Sequence, residues 1–444
     1  MIISSYAIEI KHIQKLFKAT LKVYNAAINY CVKTVINDYD DFKNLKTTEQ
    51  KKSYIEHLIH TPKNNEAKYK EYDIKFQNMP VYMTRSVVAK SLGHIESYKT
   101  NFYNWEKNGK KGNEPKLCKI TNDFPTFYRD GLYKEEDIDK DRVKLKIYNG
   151  KTWDWVEVRL KHTDLQYIRH HCADKIMSCP TLCKKNKKWF LTFTFEELTE
   201  KIKEVNIYER KIMAVDLGLN TDAVCSVMVS NGTILARKFI KFASDKDLLT
   251  HKLNQLKGIQ QRFNNDKHQM KKLWRFINNL NEQLAIKIAR AIIDVALLYK
   301  VDVIVFEYLD FKGHKTKNQL ISLWKKKFIQ KMVEFKAHQN KMRISRICAW
   351  GTSKLAFDGS GEVLRGKKAG FTTQKLCKFS NGKKYNSDLS ASYNIGARYF
   401  IRELQKSILA TEWSGLTAKV PELQKRTKCT YATLLELNKA RMVA

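Results

Sequence analysis

The chain has 444 residues, 43% of them hydrophobic, which is enough for two or three domains with real cores. Its 82 Lys and Arg against 46 Asp and Glu leave a net charge of +36, an excess that solubility does not require and that points to a polyanionic partner. No run approaches the roughly 20 apolar residues of a membrane span. The first ten residues carry no basic and apolar leader pattern, and nine scattered cysteines favour free thiols over a disulfide framework. These features argue against a membrane-spanning or disulfide-stapled protein and predict a cytoplasmic one, in the bacterial cytosol or nucleoid.

Residues 4–10 alternate as a strand. From Lys11 the period changes: Ile13, Leu16, Phe17, Thr20, Leu21, Tyr24, Ala27, Ile28 and Cys31 fall at three- and four-residue steps, one face of a helix. Helical patterning returns at 54–58 and 85–105, and the latter carries Tyr98, Phe102, Tyr103 and Trp105. These aromatics suit a helix core as well as base stacking. Past Asp141 the period is two, and Asn149-Gly150 marks a hairpin. A second hairpin is expected over 181–195, turning at Lys184-Lys-Asn-Lys-Lys188. After a linker at 201–211, strands are expected at 213–217, 224–229 and 233–239. Two long helices follow over 248–299, then a strand at 301–307, a basic helix over 318–339 and a short strand at 343–348. Residues 351–384 are rich in Gly, Ser and Lys and read as a loop. Residues 389–404 read as a helix, and the tail beyond Thr411 shows little pattern.

Three acids stand out. Asp216 closes the apolar run Ile212-Met-Ala-Val-Asp-Leu-Gly-Leu-Asn220. Glu307 closes Val301-Asp-Val-Ile-Val-Phe-Glu307. Asp388 opens a helix in Tyr385-Asn-Ser-Asp-Leu-Ser-Ala-Ser-Tyr-Asn-Ile395. Two strand ends and a helix start are places from which a fold can gather hard oxygen ligands for two Mg²⁺ ions. Each acid also has a plain structural reading. Asp216 could cap the next turn, Glu307 could be paired inside the fold, and Asp388 could be an N-cap.

Together the three segments resemble the RuvC motifs of TnpB proteins, the transposon-encoded RNA-guided nucleases ancestral to compact type V CRISPR effectors. Asp216-Leu-Gly-Leu-Asn220 is similar to the first motif, Val305-Phe-Glu-Tyr-Leu309 to the second and Ser387-Asp-Leu-Ser-Ala-Ser-Tyr-Asn-Ile395 to the third, over roughly residues 210–400. Ser387 and Ser390 stand where the family has Arg and Asn. The family's four-cysteine zinc ribbon is missing. Its first cysteine pair would fall near Ala356-Phe-Asp-Gly359 and its second near Cys377-Lys-Phe-Ser380, which keeps one sulfur. A tetrahedral zinc site needs four ligands, so no zinc is expected, and the Asp358-Gly-Ser-Gly361 turn is expected to hold this loop.

The resemblance implies an α+β multidomain fold. Residues 1–10 and 131–203 would form a β-barrel-like wedge domain, with a helical recognition domain, 11–130, inserted into it. Residues 204–405 would form an RNase H-like (RuvC) nuclease domain, with 349–386 in place of the ribbon, and 406–444 a C-terminal tail. It further implies a DNA endonuclease that takes a guide RNA, reads a short motif beside its double-stranded DNA target and cuts with Asp216, Glu307 and Asp388 as catalytic metal ligands. No membrane partner is expected. Lys184, Lys185, Lys187, Lys188, Lys325, Lys326, Lys327, Arg85 and Lys90 are candidate nucleic-acid contacts, although lysine runs are usually solvated surface. His170-His-Cys172, Cys179 and Cys183 are spaced too loosely for metal and read as strand and hairpin. A compact type V effector, a nuclease-dead RNA-guided repressor and a strand-transfer transposase of the same fold remain alternatives.

Overall fold

The computed structural model describes residues 2–11, 16–61, 66–137, 141–197, 204–219, 221–262, 267–308 and 325–442. Asn220 and Leu309 of the first two motifs, and 318–324 of the expected basic helix, lie outside these residues. The chain forms two compact units, Met1–Leu198 and Thr199–Ala444.

In the first unit, strand β1 (Ile2–Lys11) leads to helix α1 (Leu16–Val35). Phe17, Tyr24, Ala27, Ile28, Cys31, Val32 and Val35 of α1 are buried, which is the stripe that the spacing predicts. Helix α2 (Thr48–Ile59) begins in a capping box of Thr47 and Gln50. Helix α3 (Val81–Lys107) packs on α1, where the Tyr24 hydroxyl meets Ser86 Oγ at 2.9 Å. Two asparagines one turn apart on α1 grip an extended segment. Asn29 bonds both backbone groups of Ile120, at 2.6 and 2.9 Å, and Asn25 bonds both of Asp123, at 3.1 and 2.9 Å.

The chain then enters a seven-stranded antiparallel sheet built from β1, β2 (Tyr133–Asp137), β3 (Arg142–Tyr148), β4 (Trp153–Leu160), β5 (Ile176–Met177), β6 (Thr181–Lys185) and β7 (Lys188–Glu197). β1 pairs with β7 along most of its length and with β4 at its end, through Ile10↔Leu160. Between β4 and β5 lies helix α4 (His162–Cys172). This corrects the expected strand at His170–Cys172, because the histidines end a helix on whose inner face Ile168 and Cys172 are buried.

The second unit is built on a five-stranded sheet of order β10-β9-β8-β11-β12. Its strands are β8 (Ile212–Asp216), β9 (Ala223–Met228), β10 (Ile234–Ile240), β11 (Val303–Tyr308) and β12 (Arg343–Cys348). β8 pairs antiparallel with β9 and parallel with β11, and β11 pairs parallel with β12.

The near-continuous apolar runs of the central strands have a cause, since helices cover both faces. Met213 and Val215 of β8 join a core with α5 (Ala243–Arg262), α6 (Lys267–Leu298) and α7 (Lys326–Gln339). Ile212 and Ala214 join another with α8 (Ser387–Ser407). α8 runs so close to the sheet that a Cβ on Gly396 would stand 3.3 Å from the Ala214 Cβ and 2.4 Å from Met228 Sδ.

Two stretches are more ordered than their patterns suggest. The segment 349–386, expected as a loop, forms a small sheet of β13 (Leu364–Arg365), β14 (Leu376–Lys378) and β15 (Lys384–Asn386) around buried Ala356, Cys377 and Phe379. Asp358 accepts from Ser360 N at 3.1 Å, Ser360 Oγ at 2.7 Å and Asn381 Nδ2 at 2.9 Å. The Phe357 ring lies against Phe379, Tyr385, Tyr393 and Tyr431. The low-pattern tail forms helices α9 (Ala410–Lys419) and α10 (Tyr431–Met442), and Leu416, Leu434 and Leu437 enter the core beneath α8.

Candidate functional site

Asp216 is the last residue of β8 and Glu307 the next to last of the parallel neighbour β11. The ladder runs to Phe306↔Val215, so the next step sets Glu307 beside Asp216 at the carboxyl ends of the strands, where open α/β sheets place ligands. Asp388 lies in the first turn of α8. It is not the cap, because Asn386 Oδ1 accepts from the backbone of Asp388 and Leu389, at 3.1 and 2.9 Å. The plain reading of Asp388 as an N-cap is thereby removed, and its carboxylate is available for the site. A Cβ on Gly218 would be 3.8 Å from Asp388 Oδ2 and 2.6 Å from the Thr221 carbonyl oxygen. Glycine in the Asp-Leu-Gly sequence therefore lets the chain fold back just below that carboxylate.

The three acids share one electrostatic environment. Asp216 is held well above the usual carboxylate range by burial first, then by Glu307 and Asp388. Burial raises Glu307 as well, opposed by a hydrogen bond from Thr352. The Thr352 hydroxyl has the Glu307 carboxylate and the Ala349 carbonyl, at 2.9 Å, as its two acceptors.

Lys326, at the start of α7, is the main nearby cation. Burial lowers it to about 8 while Asp216 and Glu307 pull it the other way. One turn further along α7, Gln330 Nε2 donates to the Glu307 carbonyl at 3.1 Å, which fixes the helix over the end of β11. Among the described residues no three His, Cys, Asp or Glu side chains stand as a ready-made metal cluster. The donor chemistry nonetheless fits a divalent cation. Glu307 and Asp388 both lie within electrostatic reach of Asp216 and raise it, and a dication held by these hard carboxylates would relieve that repulsion.

Several side chains that the motifs did not assign build the frame. Asn394, fully buried, donates to the carbonyls of Thr352 and Leu355, both at 2.9 Å, and accepts from Tyr431 N at 3.0 Å. Arg398 donates to the carbonyls of Cys348 (3.1 Å), Trp350 (2.7 Å), Thr427 (2.7 Å) and Cys429 (2.9 Å). The succession Asp388, Ala391, Asn394 and Arg398, in steps of three and four residues along one face of α8, was the one available signal. Ser387 Oγ lies 3.1 Å from the Gln374 carbonyl and 3.2 Å from Asp388 Oδ1. Ser390 Oγ is buried with no hydrogen-bond partner among the described residues.

The basic candidates are dispersed. Lys184, Lys185, Lys187 and Lys188 are exposed around the β6–β7 hairpin, with Lys184 over the Trp189 ring and Lys188 paired to Glu9 at 2.9 Å. Lys325 faces Glu282 at 3.4 Å and Lys327 is exposed. Arg85 pairs with Glu56 at 3.2 Å, and Lys90 is half-buried on α3. Tyr98, Phe102 and Trp105 form an aromatic row along the end of α3, outside the core.

Residues 4–149 match the Aq_aa04 family. The TnpB-like protein aq_aa05 of Aquifex aeolicus is 24% identical over 248 residues, which cover 50% of this chain and 77% of that protein. Among solved structures, the fold is similar to that of a Cas12f1–sgRNA–target DNA complex, with a TM-score of 0.55 at 18% identity, over 86% of this chain and 83% of that one. An AacC2c1–sgRNA binary complex aligns with a TM-score of 0.41 at 10% identity, over 86% and 70% of the two chains. Over half of its length the chain is thus similar to a TnpB-like protein, and the likeness to the Cas12f1 complex shows a mixed α+β multidomain fold. No described helix is long and apolar enough to cross a membrane.

Proposed function

We propose that this TnpB-like chain is an RNA-guided DNA endonuclease. It binds a guide RNA, recognises a short motif beside its target in double-stranded DNA and hydrolyses the DNA with Asp216, Glu307 and Asp388. The observation that carries this reading is the placement of Asp216 and Glu307 at the carboxyl ends of two paired parallel strands, with Asp388 within electrostatic reach of Asp216, whose carboxyl is held high by burial first and then by the other two acids. A fold seldom keeps such charge for stability alone. Mg²⁺ ions held by these carboxylates, two in number, would supply an activated water and stabilise the leaving oxygen.

The chain's own residues prepare that chemistry. Thr352 orients the Glu307 carboxylate, Gln330 holds the backbone of β11, and Lys326 offsets the carboxylate charge. Guide pairing reads the sequence, while the protein holds backbones and the adjacent motif. The exposed lysines of the β6–β7 hairpin suit phosphate contact. The lobe at 349–386 takes no zinc in this reading, since Asp358, Phe357 and their partners hold it.

The test has two parts. RNA copurifying with the protein is sequenced, and the RNA-loaded protein is given matched plasmid in Mg²⁺. Asp216→Ala, Glu307→Ala and Asp388→Ala should each slow cutting at least about a hundredfold and leave guided binding in chelator intact. RNA-free protein that cuts equally well, or end joining in place of cutting, would overturn the proposal.

A further inference from the structure

Trp350 is 72% exposed, although a tryptophan gains more than most side chains from burial. Single exposed apolar residues are ordinary, but this one stands on a rigid mount. Its carbonyl accepts from buried Arg398 at 2.7 Å. Gly351 beside it takes φ +78° and its carbonyl accepts from Lys354 N at 3.1 Å and Leu355 N at 3.0 Å, closing a tight turn. Two residues on, Thr352 bonds the Glu307 carboxylate. The backbone that carries the ring is therefore tied to the acids.

A second ring stands on the adjacent strand. Tyr308 directly follows Glu307, is 63% exposed and pairs in register with Cys348 of β12. Tyr308 thus follows Glu307 at the end of β11, and Trp350 lies two residues beyond Cys348, the end of the parallel neighbour β12. The surroundings are cationic. The Lys354 ammonium lies 5.7 Å from the centre of a Trp350 ring, and Arg365 and Lys326 lie within electrostatic reach of Asp216. Exposed aromatic faces among cations suit unpaired bases on a phosphate backbone, because every base offers a flat face whatever its sequence. They suit an apolar protein partner poorly, since Lys354 would be desolvated with the ring.

We propose that Trp350 is a base-stacking platform of the cleavage site: an unpaired base of the DNA strand lies on its indole while the adjoining phosphate passes Asp216, Glu307 and Asp388, with Tyr308 as the second ring. This rests on the nuclease reading and adds the residue that holds the strand beside the acids. Trp350 is a positioning residue, because it holds the strand and does not take part in bond breaking.

The experiment uses the full chain loaded with its RNA, and DNA carrying 2-aminopurine at successive positions around the cut. In chelator, wild type should quench the fluorescence at one or two neighbouring positions, Trp350→Ala should lose that quenching, and Trp350→Phe should keep most of it. With Mg²⁺, Trp350→Ala should lower kcat/KM by about 5- to 100-fold, the range for one lost stacking contact, with an unchanged melting temperature. Quenching that persists in Trp350→Ala, or a wild-type kcat/KM, overturns the proposal. If wild type fails to cut guided DNA, the nuclease reading falls on its own. The same probe on a free single-stranded oligonucleotide then decides the platform, with Trp350-dependent quenching supporting it and its absence rejecting it.

Discussion

Removing Arg398 should loosen the second unit more than any exposed substitution, and the structure gives the scale. One guanidinium, 5% exposed, donates at 2.7–3.1 Å to four carbonyls in two segments, Cys348 and Trp350 at and just past the end of β12 and Thr427 and Cys429 before α10. Bonds from a charged donor are each worth about 1.5–3 kcal/mol, so a naive sum approaches ten or so. Three effects reduce it. Such values do not add within one network. Desolvating the guanidinium already costs several kcal/mol. A cavity of about 170 Å³ lined by Cys348, Arg398 and Cys429 can admit water to the orphaned carbonyls. The expected net loss in Arg398→Met is about 3–5 kcal/mol, a large share of the 5–15 kcal/mol typical of a folded unit. Unfolding of a two-unit chain is not one transition, so the assay is native-state hydrogen exchange. Amides of 429–437 should exchange at least about a hundredfold faster in Arg398→Met. Arg398→Lys should lie between, since one ammonium cannot bond both segments. Protection within about threefold of wild type in Arg398→Met would mean that water replaces the guanidinium at no cost and that the cross-brace is not what orders the tail.

Gly218→Ala places a Cβ 2.6 Å from the Thr221 carbonyl oxygen, a contact that only a backbone shift can relieve. Because that backbone separates Asp216 from Asp388, cleavage should fall by about tenfold or more while guided DNA binding holds, and a wild-type cutting rate would show that the turn does not set the acids. Asp216→Asn tests the buried charge. The folded-state pKa of Asp216 is raised by burial and by its neighbours, so its stability contribution is full below the unfolded pKa and is lost as pH rises through the folded one. Without divalent cations, the β8 amides of the variant should therefore be better protected from hydrogen exchange than those of wild type at pH 8, and equally protected near pH 4. Equal protection in the two proteins across this range would refute the assignment.

The residues that could be read from the sequence share one property: their local pattern alone fixes their place. Asp216 and Glu307 end apolar runs of five to seven residues, so strand periodicity carries them to the sheet's edge, and buried β8 with its helices on both faces follows from the same runs. Asn149-Gly150 gave its hairpin for a similar local reason. Asp388 was legible as a helix start but not in its role, because the cap lies two residues earlier, at Asn386, and either residue type can cap. Lys326 shows where pattern stops. The run Lys325-Lys-Lys327 names three equivalent cations, and only the docking of α7 by Gln330 turns the middle one toward the acids. The 349–386 lobe and the tail are both more ordered than their sequence patterns predict, and for one cause. Their order comes from partners far apart in the chain, with Phe357 against Tyr393 and Tyr431, and Asn394 bonding Thr352, Leu355 and Tyr431. No periodicity within either segment encodes such contacts. Asn394, six residues beyond Asp388 on α8, ties the turn that presents Thr352 and Trp350 to the start of α10, so the segment with the least sequence pattern is bolted to the frame of the carboxylate site.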